Sequence, residues 1–216
     1  ITTRVTLSWE SLQSISKDLQ MLTEDQRFSL FDRSVFDAVC SLFYSGTVYF
    51  TASTVFKTMT GKGPEAKVTE SQKKAVTESI EKCRYCNITV DFSQESTYYP
   101  ELKNIGGDQA ASASFSENLL NLRRMTIVVN GWKILSNPML FAYSLSKKQI
   151  MSFSSHLLNS PVSKKEDIIV IQDYLLRRIQ QMRRRKQLTK RSDRIILMDT
   201  IYKVADIPKE FSLKVR

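Results

Sequence analysis

Between residues 177 and 194 the chain carries Arg177, Arg178, Arg183, Arg184, Arg185, Lys186, Lys190, Arg191 and Arg194 against a single acid, Asp193. Nine cations in eighteen residues suit phosphate groups, because guanidinium offers paired donors and a neutralised polyanion releases its counterions. Three other readings compete: cations suiting the negative end of a helix dipole, an acidic partner inside the molecule, and a membrane surface. A membrane-lying basic helix would need large exposed apolar residues opposite its charges. Here the apolar stripe of Ile168, Ile171, Leu175, Ile179 and Met182 is more simply explained as core. Phosphate contact is the reading the cluster favours.

Other residues with chemical potential point nowhere as strongly. Cys83-Arg84-Tyr85-Cys86 has the spacing of half a zinc site, and Cys40 with His156 would complete four ligands on paper. Structural zinc takes two paired half-sites, whereas this thiol and imidazole are isolated in sequence. Cys40 and Cys83 fit better as small thiols on apolar helix faces, so no metal ligand is assigned. The lone His156 also removes the histidine pair with which rolling-circle nickases hold a metal beside a nucleophilic tyrosine. Gly61-Lys62-Gly63 lacks the glycine spacing and the Lys-Ser/Thr ending of a phosphate-binding loop. Nothing marks a nucleophile elbow for a Ser-His-Asp site. The chain is expected to be no enzyme and to need no cofactor.

Composition supports a folded protein with an anionic partner. In 216 residues, 42% are hydrophobic and 25% charged, as in ordinary globular chains, and the length suits one large domain or two small ones. Lys and Arg number 32 against 22 Asp and Glu. The surplus is unevenly placed: residues 1–160 carry a net +2 and residues 161–216 a net +8. No run approaches the ~20 apolar residues of a membrane span, and the first residues lack a signal-peptide layout. Three cysteines make no disulfide framework. A cytoplasmic protein with no membrane contact is expected. The opening at Ile1 and the stop at Val215-Arg216 suggest a fragment.

The elements that must position these side chains can be read from periodicity. Phe31, Val35, Ala38, Val39 and Leu42 recur at helical spacing from about Asp32 to Ser45, with Gly46 as the stop. Thr47-Val48-Tyr49-Phe50 reads as a short strand that something must pair. Thr51 caps a helix over 52–60 that ends at Gly61, and Thr69 with Gln72 forms a capping box that opens a third helix. Ala75, Val76, Ile80 and Cys83 share its apolar face; Lys73, Lys74, Thr77, Glu78, Glu81 and Lys82 share the other. Ile88, Val90 and Phe92 alternate as a half-buried strand. A second extended run, Arg124 to Val129, turns at Asn130-Gly131, a type I′ hairpin signal, and returns over Trp132 to Leu135. Residues 93–118 are too long and polar for an ordinary connection. Helices follow over 139–145, 164–184, 195–204 and 208–216, the longest opened by Ser163 and Glu166 and expected as the spine of a second domain.

Helix, short strand, helix, turn, helix and hairpin is the order of a winged helix, whose third helix enters the major groove. Ser71, Gln72, Lys73 and Lys74 in its first turns are then the candidates for base and phosphate contact, Gln72 pairing adenine and the lysines meeting phosphate or guanine. Arg123 and Arg124 on the hairpin would reach the minor groove or the backbone. A plain amphipathic surface helix is the alternative, favoured by Glu78 and Glu81 if they face the same way.

The segments Phe31-Asp32-Arg33-Ser34-Val35-Phe36-Asp37-Ala38-Val39, Tyr49-Phe50-Thr51 leading into Thr69–Arg84, and Asp173-Tyr174-Leu175-Leu176-Arg177-Arg178-Ile179 ahead of Asp199-Thr200-Ile201-Tyr202 carry a resemblance. Over residues 28–205 the chain resembles the winged-helix replication initiator proteins of plasmids and of Gram-positive mobile or conjugative elements. The resemblance implies an α+β fold of tandem winged helices, each a helix-turn-helix with a β-hairpin wing. The first would cover 1–155 with a long wing insertion at 93–118, and the second 156–216, truncated at its C-terminus. It further implies sequence-specific binding of double-stranded DNA at origin repeats, association as a homodimer, and contact with host replication proteins. A winged-helix transcriptional regulator and a module whose basic helix docks an acidic protein are the alternatives.

Overall fold

The structure, a computed structural model, describes residues 3–4, 28–91, 114–126, 130–146, 150, 154–159, 165–184 and 195–204. Its elements run β1 (Thr3–Arg4), α1 (Leu30–Tyr44), β2 (Tyr49–Phe50), α2 (Ala52–Thr60), α3 (Glu70–Tyr85), β3 (Asn87–Asp91), β4 (Ser114–Asn118), β5 (Leu122–Met125), β6 (Gly131–Ile134), α4 (Met139–Ser146), α5 (Ser155–Leu158), α6 (Glu166–Arg184) and α7 (Met198–Val204). The fold is α+β, with helices packed on two three-stranded antiparallel sheets of order β1-β3-β4 and β2-β6-β5.

Local chemistry sets the limits of the first three helices. The Ser29 hydroxyl accepts from the Asp32 amide while the Asp32 carboxylate accepts from the Ser29 amide, so α1 begins in a capping box that satisfies two orphan donors. The helix starts at Leu30, two residues before Asp32, the residue at which periodicity opens it. Thr51 caps α2, and Gly61, at φ 65°, ends it in the left-handed conformation that only glycine adopts cheaply. Thr69 and Gln72 form the expected capping box of α3.

Apolar residues at helical spacing then bring the three helices together. Val35 and Val39 of α1, Val55 and Phe56 of α2, and Val76, Ile80 and Cys83 of α3 are all buried in one core. Phe50, Leu122, Trp132 and Ile134 close that core from the β2-β6-β5 sheet. Two residues of strand suffice for β2 because its partner is fixed: Tyr49 stands opposite Lys133 and Phe50 opposite Trp132. The Phe50 and Trp132 rings stack with centroids 5.8 Å apart.

Three features differ from the sequence expectation. The extended run near 87–92 does not join the strands around Gly131; it pairs with Ser114–Asn118, with Ile88 opposite Glu117, and with β1 on its other side. There are thus two separate hairpin pairings, and the end of the expected 93–118 insertion is itself a strand. The second hairpin begins at Leu122 rather than Arg124, since Leu122 is buried opposite Ile134. The long helix α6 is not isolated from the first helices either. Ile169 and Val170 enter the same core as Val35 and Val39, because α6 lies against α1. Ser163, residues 93–113 and the helix expected over 208–216 lie outside the described residues.

Gly131 owes its place to crowding rather than to a turn. Among the described glycines positive φ belongs to Gly46 and Gly61, whereas Gly131 is the first residue of β6, and a Cβ there would stand 2.5 Å from the Phe50 carbonyl oxygen. The backbones of β2 and β6 approach closely because no side chain intervenes. Gly131→Ala should therefore force the strands apart and destabilise the protein by about 1–3 kcal/mol, the usual cost of overpacking. Urea unfolding of the variant beside the parent measures this, and an unchanged midpoint would show that β2 yields freely.

Candidate nucleic-acid interface

The first turns of α3 present Ser71 and Lys74 to solvent, with Gln72 and Lys73 half-buried. All four have local partners. The Gln72 Oε1 accepts from the Thr69 amide at 3.1 Å, and the Ser71 and Thr69 hydroxyls are 3.1 Å apart. Lys73 pairs with Glu70 at 2.6 Å and Lys74 with Glu78 at 3.9 Å. Exposed pairs of this kind contribute little, so the lysines can exchange carboxylate for phosphate readily. Gln72 is different: gripping adenine with both ends of its amide would break the cap, so its first role is to start the helix.

Glu81 does not share that exposed stripe, contrary to the two-face division of α3. Its Oε1 accepts from Trp132 Nε1 at 2.9 Å and its Oε2 from Arg84 Nη1 at 3.0 Å. Arg124 Nη1 lies 3.5 Å from the same carboxylate. Arg84 also donates through Nε to the Leu122 carbonyl at 3.1 Å. One carboxylate thus ties α3 to both strands of the β5–β6 hairpin, and its charge is met by two guanidinium groups. Lys82 is likewise turned inward. Its Nζ reaches the buried Asp32 carboxylate at 2.7 Å, joining α3 to the N-terminus of α1, where a negative charge is favoured. Of the hairpin cations, Arg124 serves this junction, while Arg123 is exposed and stands opposite Lys133.

Arg177 has to be withdrawn from the phosphate-binding set. Its guanidinium donates to Asp37 Oδ2 at 2.6 Å and, through Nε, to Asp173 Oδ1 at 3.1 Å, with a further contact to Asp173 Oδ2. Ser34 Oγ adds a bond to Asp173 at 3.2 Å. With its side chain only 16% exposed and its charge shared between two carboxylates, Arg177 fastens α6 to α1 and is poorly placed to reach a phosphate. Burial would pull its pKa down, but the Asp37 and Asp173 carboxylates outweigh that and hold it above the ordinary arginine value. Burial pushes the Asp37 carboxyl up, against the pull of Arg177 and Arg33. The sequence did carry a signal for this pairing, since Asp173 and Arg177 are four apart on one helix.

The rest of the basic cluster is described only in part. Arg178 is half-buried and Arg183 exposed on the last turns of α6. Arg184 closes that helix; its side chain, and Arg185, Lys186, Lys190, Arg191 and Arg194, lie outside the described residues.

The thiols form no binding site. Cys40, Cys83 and Cys86 are all buried, and burial raises the pKa of each, Cys40 and Cys83 well above the ordinary thiol value. Among the described residues no group of three or more His, Cys, Asp or Glu side chains is placed to hold a metal ion, and no helix is long and apolar enough to cross a membrane. A cleft of about 560 Å³ runs beside the α1–α6 contact, with Asp37, Asp173 and Arg177 on its wall. Compared with protein-family models, curated proteins and solved structures, the chain matches none of them.

Replacing Arg177 by Met leaves two carboxylates facing each other without their cation, which should cost about 3 kcal/mol near neutral pH. Without the arginine, burial and the facing Asp173 carboxylate raise the Asp37 carboxyl further, so the folded variant takes up a proton more readily than the unfolded chain. Its stability should then rise as pH falls through that raised value, and the gap to the parent should narrow. Unfolding midpoints compared at about pH 7 and about pH 5 read this directly; a gap that stays constant would mean the carboxylates are not what Arg177 offsets.

Proposed function

We propose that this chain binds double-stranded DNA as a winged helix, with α3 entering the major groove and the β5–β6 hairpin lying against the adjoining backbone. The observation that carries the reading is the strand order β2-β6-β5 in a chain that runs α1, β2, α2, α3 before the hairpin. That order folds the hairpin back beside α3, and the Glu81 carboxylate holds the two together. Ser71 and Lys74 are exposed in the first helical turns, beside Glu70, and take the base-edge and phosphate contacts. Arg183 and the cations after it in the sequence supply phosphate contacts that carry no sequence information.

The specific role we attach to this binding is initiation of replication at origin repeats of a plasmid or mobile element. Its support is the resemblance to winged-helix initiators in the segments 31–39, 49–51 and 69–84. Transcriptional regulation by the same fold is the alternative, and the two differ in whether the preferred DNA is a repeated origin site or a promoter.

A labelled duplex titrated at several salt concentrations tests the binding itself. Charge reversal of Arg183, Arg184 and Arg185 together should weaken binding to every sequence and flatten the salt dependence by roughly one power of salt per lost phosphate contact. Ser71→Ala with Lys74→Ala should lower the preference for a selected site over random duplex. Unchanged affinity and slope in the triple variant would remove the cluster from the interface, and a parent protein with no duplex affinity would end the reading.

A further inference from the structure

The β2-β6-β5 sheet spends one face on the core, through Phe50, Leu122, Trp132 and Ile134, all buried. Its other face carries a row fixed by register: Tyr49 opposite Lys133, and Lys133 opposite Arg123. At strand spacing this row spans about 10 Å. Tyr49 is 56% exposed and Leu135, two residues along β6 from Lys133, is 45% exposed. Lys133 Nζ lies 5.4 Å from the Tyr49 ring centroid, so the aromatic ring and a cation are already neighbours. Strand alternation places no acid on this face among the described residues, whereas α3 exposes Glu70 and Glu78.

We propose that this open sheet face binds single-stranded nucleic acid, with a base stacked on Tyr49 and the adjoining phosphates held by Lys133 and Arg123. The chemistry discriminates between polyanions. Two cations alone would suit any of them, but an exposed ring beside them gains most from a partner that offers free aromatic faces next to its charges. In a duplex those faces are covered by neighbouring base pairs; in an unpaired strand they are open, and every base has one. An acidic peptide would satisfy Lys133 and Arg123 and leave the ring unused. The row faces away from Trp132 and Glu81, so it can be altered without touching the contact between α3 and the hairpin; Lys133 and Arg123 lie on the hairpin that the duplex reading lays against the backbone, whereas Tyr49 on β2 does not, so Tyr49 separates the two readings.

The test uses the full chain and two labelled probes, an oligothymidine single strand and a random-sequence duplex, followed by fluorescence anisotropy. Tyr49→Ala should weaken oligothymidine binding about tenfold, the scale of one lost base stack, while Tyr49→Phe keeps it and duplex affinity stays unchanged. Lys133→Gln, a change at a half-buried surface position, should reduce the salt dependence on the single strand by about 0.7 of a power, and this readout decides the matter even if Tyr49→Ala fails to fold. An equal loss on both probes, no loss on the single strand, or displacement by polyglutamate as effective as by unlabelled oligothymidine would overturn the proposal. A parent protein that binds duplex and ignores oligothymidine sinks this inference alone; one that binds oligothymidine and ignores duplex sinks only the duplex reading.

Discussion

The pairing of Tyr49 and Phe50 with Trp132 and Lys133 is the constraint on which the remaining architecture depends. It joins a two-residue strand lying between the first two helices to a strand some eighty residues further along, so it closes a long loop at considerable entropic cost. What offsets that cost is shared: stacking of Phe50 on Trp132, burial of both rings, and backbone bonds made possible by the missing side chain at Gly131. Once closed, the pairing leaves the β5–β6 hairpin only one place to lie, beside α3. Glu81 then finds Trp132, Arg84 and Arg124 within reach, and a helix and a ribbon distant in sequence become one surface.

Charge in this molecule divides into cations that hold the fold and cations that face outward. Arg177, Lys82, Arg84 and Arg124 each meet a carboxylate from another element or the same helix, and each carboxylate is at most half-exposed. Lys73 and Lys74 meet only exposed glutamates on their own helix. Each internal pair removes a cation and an anion together, so the surplus of ten read from composition survives the pairing, while the cations on offer to a partner are fewer than the 32 in the sequence. The distinction rests on burial: a half-buried carboxylate loses its cation at a large cost, whereas a solvated one gives it up for little.

Local features were the most legible in the sequence. The caps at Thr51 and Thr69, the stop at Gly61 and the apolar stripes of the first three helices all follow from interactions within a few residues, and each is found where periodicity puts it. The partner of β2, the pairing of 87–91 with 114–118, and the attachment of α6 to α1 depend on contacts between distant segments, for which a single sequence offers no period to follow. Helical position alone sets Glu81 and Lys82 on the solvent side of α3, since it cannot foresee an indole or an aspartate arriving from elsewhere. The Asn130-Gly131 dipeptide suggests a turn, but the demand for glycine comes from the carbonyl of Phe50. The candidate surface was therefore half visible, as residue types and helix starts, while its assembly was not.

The three thiols have a consequence of their own. Cys83 is enclosed by the helical core, while Cys40 and Cys86 are buried at the wall of the cleft beside it; burial holds all three toward the protonated form, and it is the thiolate that reacts. Alkylation of Cys83 in solution must wait for the core to open. Because Cys83 on α3 faces the Asp32 carbonyl of α1 and is wholly buried, the rate at which a maleimide consumes it is a clock for separation of those two helices, built into the native chain without any added label.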